Sequence, residues 1–246
     1  MAKKYNIARP YITTREEKYV LKVLRSGVLS IGPFVDAFEK AFAKRVGTRY
    51  ACAVSSGTAG LHLAMLASGI GPGDEVITSP LSFIASANAI LYVGATPVFA
   101  DIDPKTYNID PKEIERRITK RTKAILPVHI FGQPADMDAI MRIARKHKLI
   151  VIEDACESLD ATYRRKKAGT FGVSSVFAFY PNKQMTTGEG GMVVTNSKKI
   201  DEMCRSLRNQ GRTPNMQWLD HAYLGYNYRM DEMSAAVGLA QIENID

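Results

Sequence analysis

The chain has 246 residues, enough for a sizeable core, and with 46% hydrophobic and 24% charged residues it reads as an ordinary globular protein. A formal charge of +8 would suit nucleic acid, an anionic surface or a phosphorylated small molecule. The basic residues are spread along the chain, however, with only short clusters such as Arg164 to Lys167, and most read as solvated faces. Cys52, Cys156 and Cys204 are far apart, offer no zinc spacing and argue against a disulfide framework, so a reducing cytoplasm is expected. Met1 to Thr14 holds no apolar signal core, and no apolar run is long enough to span a bilayer. No metal site, nucleic-acid partner or membrane association is expected.

In chain order, Glu16 to Arg25 and Phe34 to Arg45 carry apolar residues at helical spacing, separated by a glycine- and proline-punctuated loop from Ser26 to Pro33. Tyr50 to Val54 is a short strand, and Ser55-Ser56-Gly57-Thr58-Ala59 opens a helix to about Ser68. A turn at Gly71 to Asp74 leads into a strand over Glu75 to Thr78. Ser82 to Tyr92 reads as a helix and Pro97 to Ala100 as a strand. Then come a helix over 111–118, a strand over Ala124 to His129, a helix over Asp136 to His147 and an apolar strand, Leu149 to Ile152, ending at Glu153-Asp154. Val173 to Phe179 and Met192 to Thr195 are the last strands, and helices over 199–208 and 231–242 flank an irregular polar segment, Gly211 to Tyr228. Strands alternating with helices predict an α/β fold, a largely parallel sheet covered on both faces, with its ligand crevice at the carboxyl ends of the strands.

Three features fall at those predicted ends. The Ser55–Thr58 turn starts a helix, whose free amides and dipole suit a phosphate, although N-capping by serine or threonine is the commoner use of such a turn. Asp154, at the exit of a buried strand, could cap the next helix or hold a proton on a heterocyclic nitrogen. Lys183 lies in the stretch Phe177 to Gly191, between an apolar strand and a glycine-rich turn; a surface lysine in a hairpin is the bland alternative. Together a phosphate seat, an acid for a ring nitrogen and an amine for an aldehyde are what pyridoxal 5'-phosphate requires, with Lys183 forming a Schiff base.

With these residues in hand, the chain resembles the DegT/DnrJ/StrS family of pyridoxal-phosphate sugar aminotransferases, from about Ala8 to Asp246. The matching stretches include Val54-Ser55-Ser56-Gly57-Thr58, Gly71-Pro72-Gly73-Asp74-Glu75-Val76-Ile77, Gly132-Gln133-Pro134-Ala135-Asp136-Met137, Ile152-Glu153-Asp154-Ala155 and Gly225-Tyr226-Asn227-Tyr228-Arg229-Met230. The resemblance implies a fold-type-I aminotransferase large domain in three layers, a mostly parallel mixed sheet between helices. It divides the chain into an N-terminal helix and loop, 1–33, and a cofactor-binding large domain, 34–246, with the family's C-terminal small domain expected to be absent. It makes Lys183 and Asp154 catalytic. It assigns Gly57, Thr58 and Ala59 to the phosphate, Phe83 to the ring face (ordinary helix core being the alternative) and Glu157 to the neighbourhood of the ring hydroxyl. Asn227 would reach a neighbouring subunit's phosphate and Arg229 would approach substrate there, which implies a homodimer with shared sites.

The implied reaction moves an amino group from glutamate or glutamine to a keto group of a nucleotide-linked sugar. Two alternatives stay open: a non-catalytic cofactor-binding or regulatory protein, and a synthase of an aminated aromatic acid. Two positions depart from the family pattern. Ala178 replaces a serine that helps hold the phosphate, a loss of about 1 kcal/mol if nothing replaces that hydroxyl. Gly60 stands where alanine is usual and should cost its helix roughly 0.5–1 kcal/mol.

Overall fold

The computed structural model describes residues 8–213 and 220–245. Eight α-helices and nine strands are found among them: α1 Thr14–Ser26, α2 Pro33–Val46, β1 Tyr50–Val54, α3 Gly57–Ala67, β2 Glu75–Thr78, α4 Ala85–Tyr92, β3 Thr96–Phe99, α5 Pro111–Arg117, β4 Thr122–Leu126, α6 Met137–His147, β5 Ile150–Asp154, β6 Thr162–Tyr163, β7 Lys166–Lys167, β8 Ser174–Ala178, β9 Gly191–Thr195, α7 Lys198–Arg208 and α8 Glu232–Glu243. The irregular segment expected over Gly211 to Tyr228 falls partly outside the described residues, at 214–219. No helix of the described residues is long and apolar enough to cross a membrane.

The main sheet has seven strands in the order β1-β9-β8-β5-β4-β2-β3. Pairings are parallel from β8 through β5, β4 and β2 to β3, and antiparallel only where β9 lies between β1 and β8. Six strands therefore run one way, and their carboxyl ends gather at one edge. β9, running against them, starts at that edge.

Strands of this sheet read as continuous apolar runs because both faces are covered, and alternate residues enter different cores. On one face Cys52, Val54, Ala124, Leu126, Ile152, Val176 and Val193 pack with α3, α4 and α7. On the other, Ala51, Ala53, Phe177, Met192 and Val194 pack with α2 and α8. Farther along that second face, Ile77, Ile125 and Val151 pack with α5 and α6. Phe38 and Phe42 of α2 meet Phe177 and Phe179 with ring centroids 5.2–5.4 Å apart, mostly edge-on, the preferred aromatic geometry. The helix starts follow local chemistry: Ser56, Asp110, Asp136, Ser197 and Asp231 each accept a first-turn amide as N-caps of α3, α5, α6, α7 and α8.

Several elements differ from the sequence expectation. The helix read over Ser82 to Tyr92 begins at Ala85, because Ser82, Phe83 and Ile84 form a turn in which Phe83 O accepts the Ser86 amide. The strand read to His129 ends at Leu126, where Pro127 has no amide to continue the ladder; Val128 keeps only an isolated bridge to Asp154. The basic cluster at Arg164–Lys167 is not merely a solvated face. It closes a two-stranded hairpin, β6–β7, with Arg164 and Arg165 both at positive φ, and Lys167 Nζ donates to Asp160 and to the carbonyl of Arg45. The turn lacks the Asn-Gly signature that makes such hairpins visible.

Gly60, expected to be a mild cost to α3, has a packing reason. A Cβ there would lie 2.7 Å from Val176 Cγ1, so the missing side chain lets α3 press onto β8.

Candidate active site

The carboxyl edge of the sheet opens on a cavity of about 570 Å³, within the range of roughly 300–1,000 Å³ usual for small-molecule sites. It is lined by the starts of α3 and α4, the ends of β5 and β8, and the lysine turn.

At one side lies the N-terminus of α3. The first amides of a helix have no acceptor inside it. Ser56 Oγ takes that of Ala59 at 3.1 Å, so the N-capping function is real and Ala59 is not part of the cavity wall. Ser56, Gly57 and Thr58 do line the cavity, and the latter two retain amides for an anion. Gly57 is dictated by space: a Cβ would stand 2.7 Å from the Ala178 Cβ and 3.2 Å from Cys156 Sγ. Ala178 therefore sits directly against the Ser56–Thr58 turn, and Ser56, Thr58 and Ser82 line the same cavity.

Asp154 ends β5 and is only 6% exposed. Its backbone is fixed from both directions, its amide donating to Pro127 O at 2.9 Å and its carbonyl accepting from His129 N at 3.0 Å. Its carboxylate accepts from Ser86 Oγ at 2.7 Å and from the Cys156 amide at 3.2 Å, one donor to each oxygen. A carboxylate has about four acceptor positions, so two are left for a group in the cavity. Cys156, beside it, stays a thiol: burial, then the charge of Asp154, pushes its pKa well above the ordinary value. Sequence reasoning missed Ser86 and Cys156. Ser86 looks like any polar helix residue until α4 is packed on the sheet.

Lys183 stands in the turn after β8, with its amide donating to Tyr180 O at 2.9 Å. Its side chain is 17% exposed and Nζ is 3.1 Å from Glu157 Oε1. The other Glu157 oxygen accepts the Phe131 amide at 2.9 Å. Phe83 lines the cavity and is 76% exposed, which removes the helix-core alternative. Tyr180, Asn182, Glu189 and Gly190 also line it, none of them singled out from the sequence.

Lys183, Asp154, Gly57, Thr58, Phe83 and Glu157 thus meet at one cavity, and Asn227 and Arg229 do not. Asn227 is exposed and its backbone bridges to Asn209. Arg229 lines a separate cavity of about 630 Å³ together with Arg205 and Arg208. There Arg229 Nη1 donates to Asn209 Oδ1 at 2.9 Å and Gln210 Oε1 at 2.7 Å. Burial, then the charges of Arg212 and Arg208, lower its pKa from the ordinary value. Their segment is nonetheless tied to the first site, since Ser55 N donates to Tyr228 O at 2.9 Å.

The residues present fit the cofactor expected from the sequence: an anion seat with a steric reason for its glycine, a carboxylate with spare acceptor capacity, and one amine. The family model for the DegT/DnrJ/EryC1/StrS aminotransferases matches residues 10–246. This chain belongs to that family. Among its relatives is the GDP-perosamine synthase of Caulobacter vibrioides, 50% identical over 242 residues that make up 98% of this chain and 65% of that protein. Solved family structures share the fold. The 3-amino-5-hydroxybenzoic acid synthase has a TM-score of 0.93 at 35% identity, covering 96% of this chain and 62% of that one. NtdA of Bacillus subtilis, solved with bound cofactor PMP, has a TM-score of 0.88 at 34% identity, covering 99% of this chain and 58% of that one. The chain spans just under two thirds of the length of curated relatives that it matches.

Proposed function

We propose that this chain acts in the cytoplasm as a pyridoxal-phosphate-dependent aminotransferase, moving an amino group from glutamate or glutamine to a keto group of a nucleotide-linked sugar, with residues 34–246 as its cofactor-binding unit. The observation that carries the reading is the convergence of Lys183, a half-satisfied Asp154 and the α3 N-terminus on one cavity. When bound, pyridoxal phosphate supplies an aldehyde for an amine and a protonated ring that draws electrons from the carbon attached to that nitrogen. Lys183 offers the amine and, when released, carries the proton to and from that carbon. Asp154 holds the proton on the ring nitrogen with its unused acceptor positions. Ser56, Gly57 and Thr58 bind the phosphate, in place of the Gly57–Thr58–Ala59 set expected from sequence, and Phe83 covers a ring face.

The sugar substrate follows from relatives such as the GDP-perosamine synthase, and the charge of +8 suits a diphosphate. Asn227 and Arg229 serve a second copy in a homodimer, which accords with their position away from this chain's own cavity. Free thiols at all three cysteines agree with a reducing compartment. An aminated aromatic acid as product is the second reading, favoured by the similarity to 3-amino-5-hydroxybenzoic acid synthase.

The test is an absorption spectrum of the purified protein with added cofactor, then borohydride reduction and peptide mapping. A reduced adduct on Lys183 is expected, together with loss of the absorption band on adding glutamate or glutamine. Lys183→Ala should form no adduct. No band in the unaltered protein overturns the reading, and a band that no amino donor discharges leaves the regulatory alternative in its place.

A further inference from the structure

We propose that His62 is a positioning residue that aims Asn227 out of its own chain, toward the cofactor phosphate held by a second copy. The inference rests on the reading of Asn227 as the residue that serves that copy's site.

His62 lies in α3, one turn beyond Thr58, and is buried. Its ring meets two tyrosines from a segment more than 160 residues farther along the chain. The Tyr226 ring is 4.7 Å away between centroids and the Tyr228 ring 5.9 Å. The tyrosines stack on each other at 5.0 Å, with 13° between their planes. Tyr92, the last residue of α4, meets the His62 ring edge-on at 5.5 Å. His62 Nδ1 lies 3.2 Å from the Tyr228 hydroxyl oxygen. Nε2 is buried and has no partner, so among the described residues the Tyr228 contact is the ring's one polar hold.

Asn227 stands between the two tyrosines and is exposed. The backbone on either side of it is held along its length. Tyr226 N donates to Leu207 O at 2.7 Å and Tyr228 N to Arg208 O at 2.9 Å, while Tyr226 O accepts the Gln210 amide and Tyr228 O the Ser55 amide, both at 2.9 Å. Successive side chains of such a bridged segment go to opposite sides, and a slip of one residue would exchange them. The backbone bonds fix the line of the segment, and burial fixes which side each residue takes. With both tyrosines seated on His62, Asn227 is left facing outward. His62 supplies the seat: an aromatic face for the rings and a nitrogen for the Tyr228 hydroxyl. Because α3 also opens with Ser56-Gly57-Thr58, His62 has a competing role in steadying its own chain's phosphate turn. The two roles act on different subunits, which makes them separable.

Borohydride trapping on Lys183, quantified by mass spectrometry over a series of cofactor concentrations, gives a half-saturating concentration without any turnover. His62→Leu should raise it about tenfold, as for loss of one hydrogen bond to a charged group. Asn227→Ala should do the same. Each variant is then co-expressed with an excess of the Lys183→Ala chain, which cannot be trapped. The adducts then report variant chains paired with chains whose His62 and Asn227 are intact, and half-saturation should return to that of the unaltered protein. A His62→Leu protein that binds as tightly as the unaltered one overturns the proposal. So does one that the Lys183→Ala chain fails to restore, since His62 then acts on its own chain's phosphate turn. An Asn227→Ala protein that is not restored overturns instead the reading of shared sites on which the proposal rests. Should His62→Leu fail to fold, His62→Phe keeps the ring, loses only Nδ1 and takes its place, with a rise of about threefold and the same deciding outcomes.

Discussion

Two adjacent carboxylates at the end of β5 have opposite fates. Glu153 and Asp154 are both buried, but the pleat sends them to opposite faces of the sheet. Glu153 is saturated. Oε1 accepts the amides of Phe171 and Gly172, both at 2.7 Å, and Oε2 accepts the Gly169 amide at 2.8 Å and His129 Nε2 at 3.0 Å. His129 Nδ1 itself accepts the Ala135 amide at 3.2 Å, and this bonding assigns the proton to Nε2. Asp154 has one donor per oxygen and faces a cavity. Burial of a carboxylate therefore does not distinguish site from scaffold. Spare acceptor capacity does: the carboxylate whose lone pairs are all used holds loops 129–135 and 168–172 in place, and the one with lone pairs left is available for chemistry.

The sharpest way to break that contrast is to neutralise each acid in turn. Asp154→Asn should fold normally and still take up cofactor, yet lose about 10- to 1000-fold in the amino-transfer half-reaction, the equivalent of removing an opposite charge from a ring nitrogen. Stopped-flow absorbance with glutamate measures it, and near-normal rates would contradict the role given to Asp154. Glu153→Gln should do the reverse. One acceptor oxygen becomes an amide donor facing two donors, so the denaturation midpoint should fall by an amount corresponding to about 3 kcal/mol, while borohydride trapping on Lys183 persists in whatever fraction is folded. A stable but inactive Glu153→Gln would erase the distinction between the two.

A third test addresses the wall shared by α3 and β8. Gly60→Ala improves helix propensity but places a methyl 2.7 Å from Val176 Cγ1. Overpacking should prevail, lowering stability by about 1–3 kcal/mol in urea titration; a gain would mean that the close approach of α3 to the sheet is not needed. The smallest effect concerns His62, buried in α3 beside Tyr92, Tyr226 and Tyr228. Burial lowers its pKa from the ordinary value. A histidine held neutral in the fold gives stability that is full above its unfolded pKa, near 6.5. That stability is lost as pH falls from there toward the lower folded value. His62→Gln should flatten that part of the stability–pH curve by less than about 1 kcal/mol, read from thermal melts between neutral and mildly acid pH.

Much of the site was visible in the linear chain because its parts sit at local signals. Ser56-Gly57-Thr58 follows an apolar strand and starts a helix, Asp154 ends an apolar strand, and Lys183 precedes a glycine-rich turn. What stayed hidden depends on packing between elements. Ser86 reaches Asp154 from a helix 68 residues earlier, and Glu157 is joined to Lys183 across 26 residues. The β6–β7 hairpin uses two arginines where glycine would be the recognisable choice.

By itself, then, the sequence determined the alternation of strands and helices, the strand-end position of Lys183, Asp154 and Gly57, and the family, because periodicity, capping and short motifs are local properties of the chain. Tertiary structure alone decided which acid is saturated, why Gly57 and Gly60 must lack side chains, that Ser56 rather than Ala59 faces the cavity, and that Glu157 holds Lys183. Those properties arise from distances between elements remote in sequence, where a single methyl or one unused lone pair separates scaffold from site.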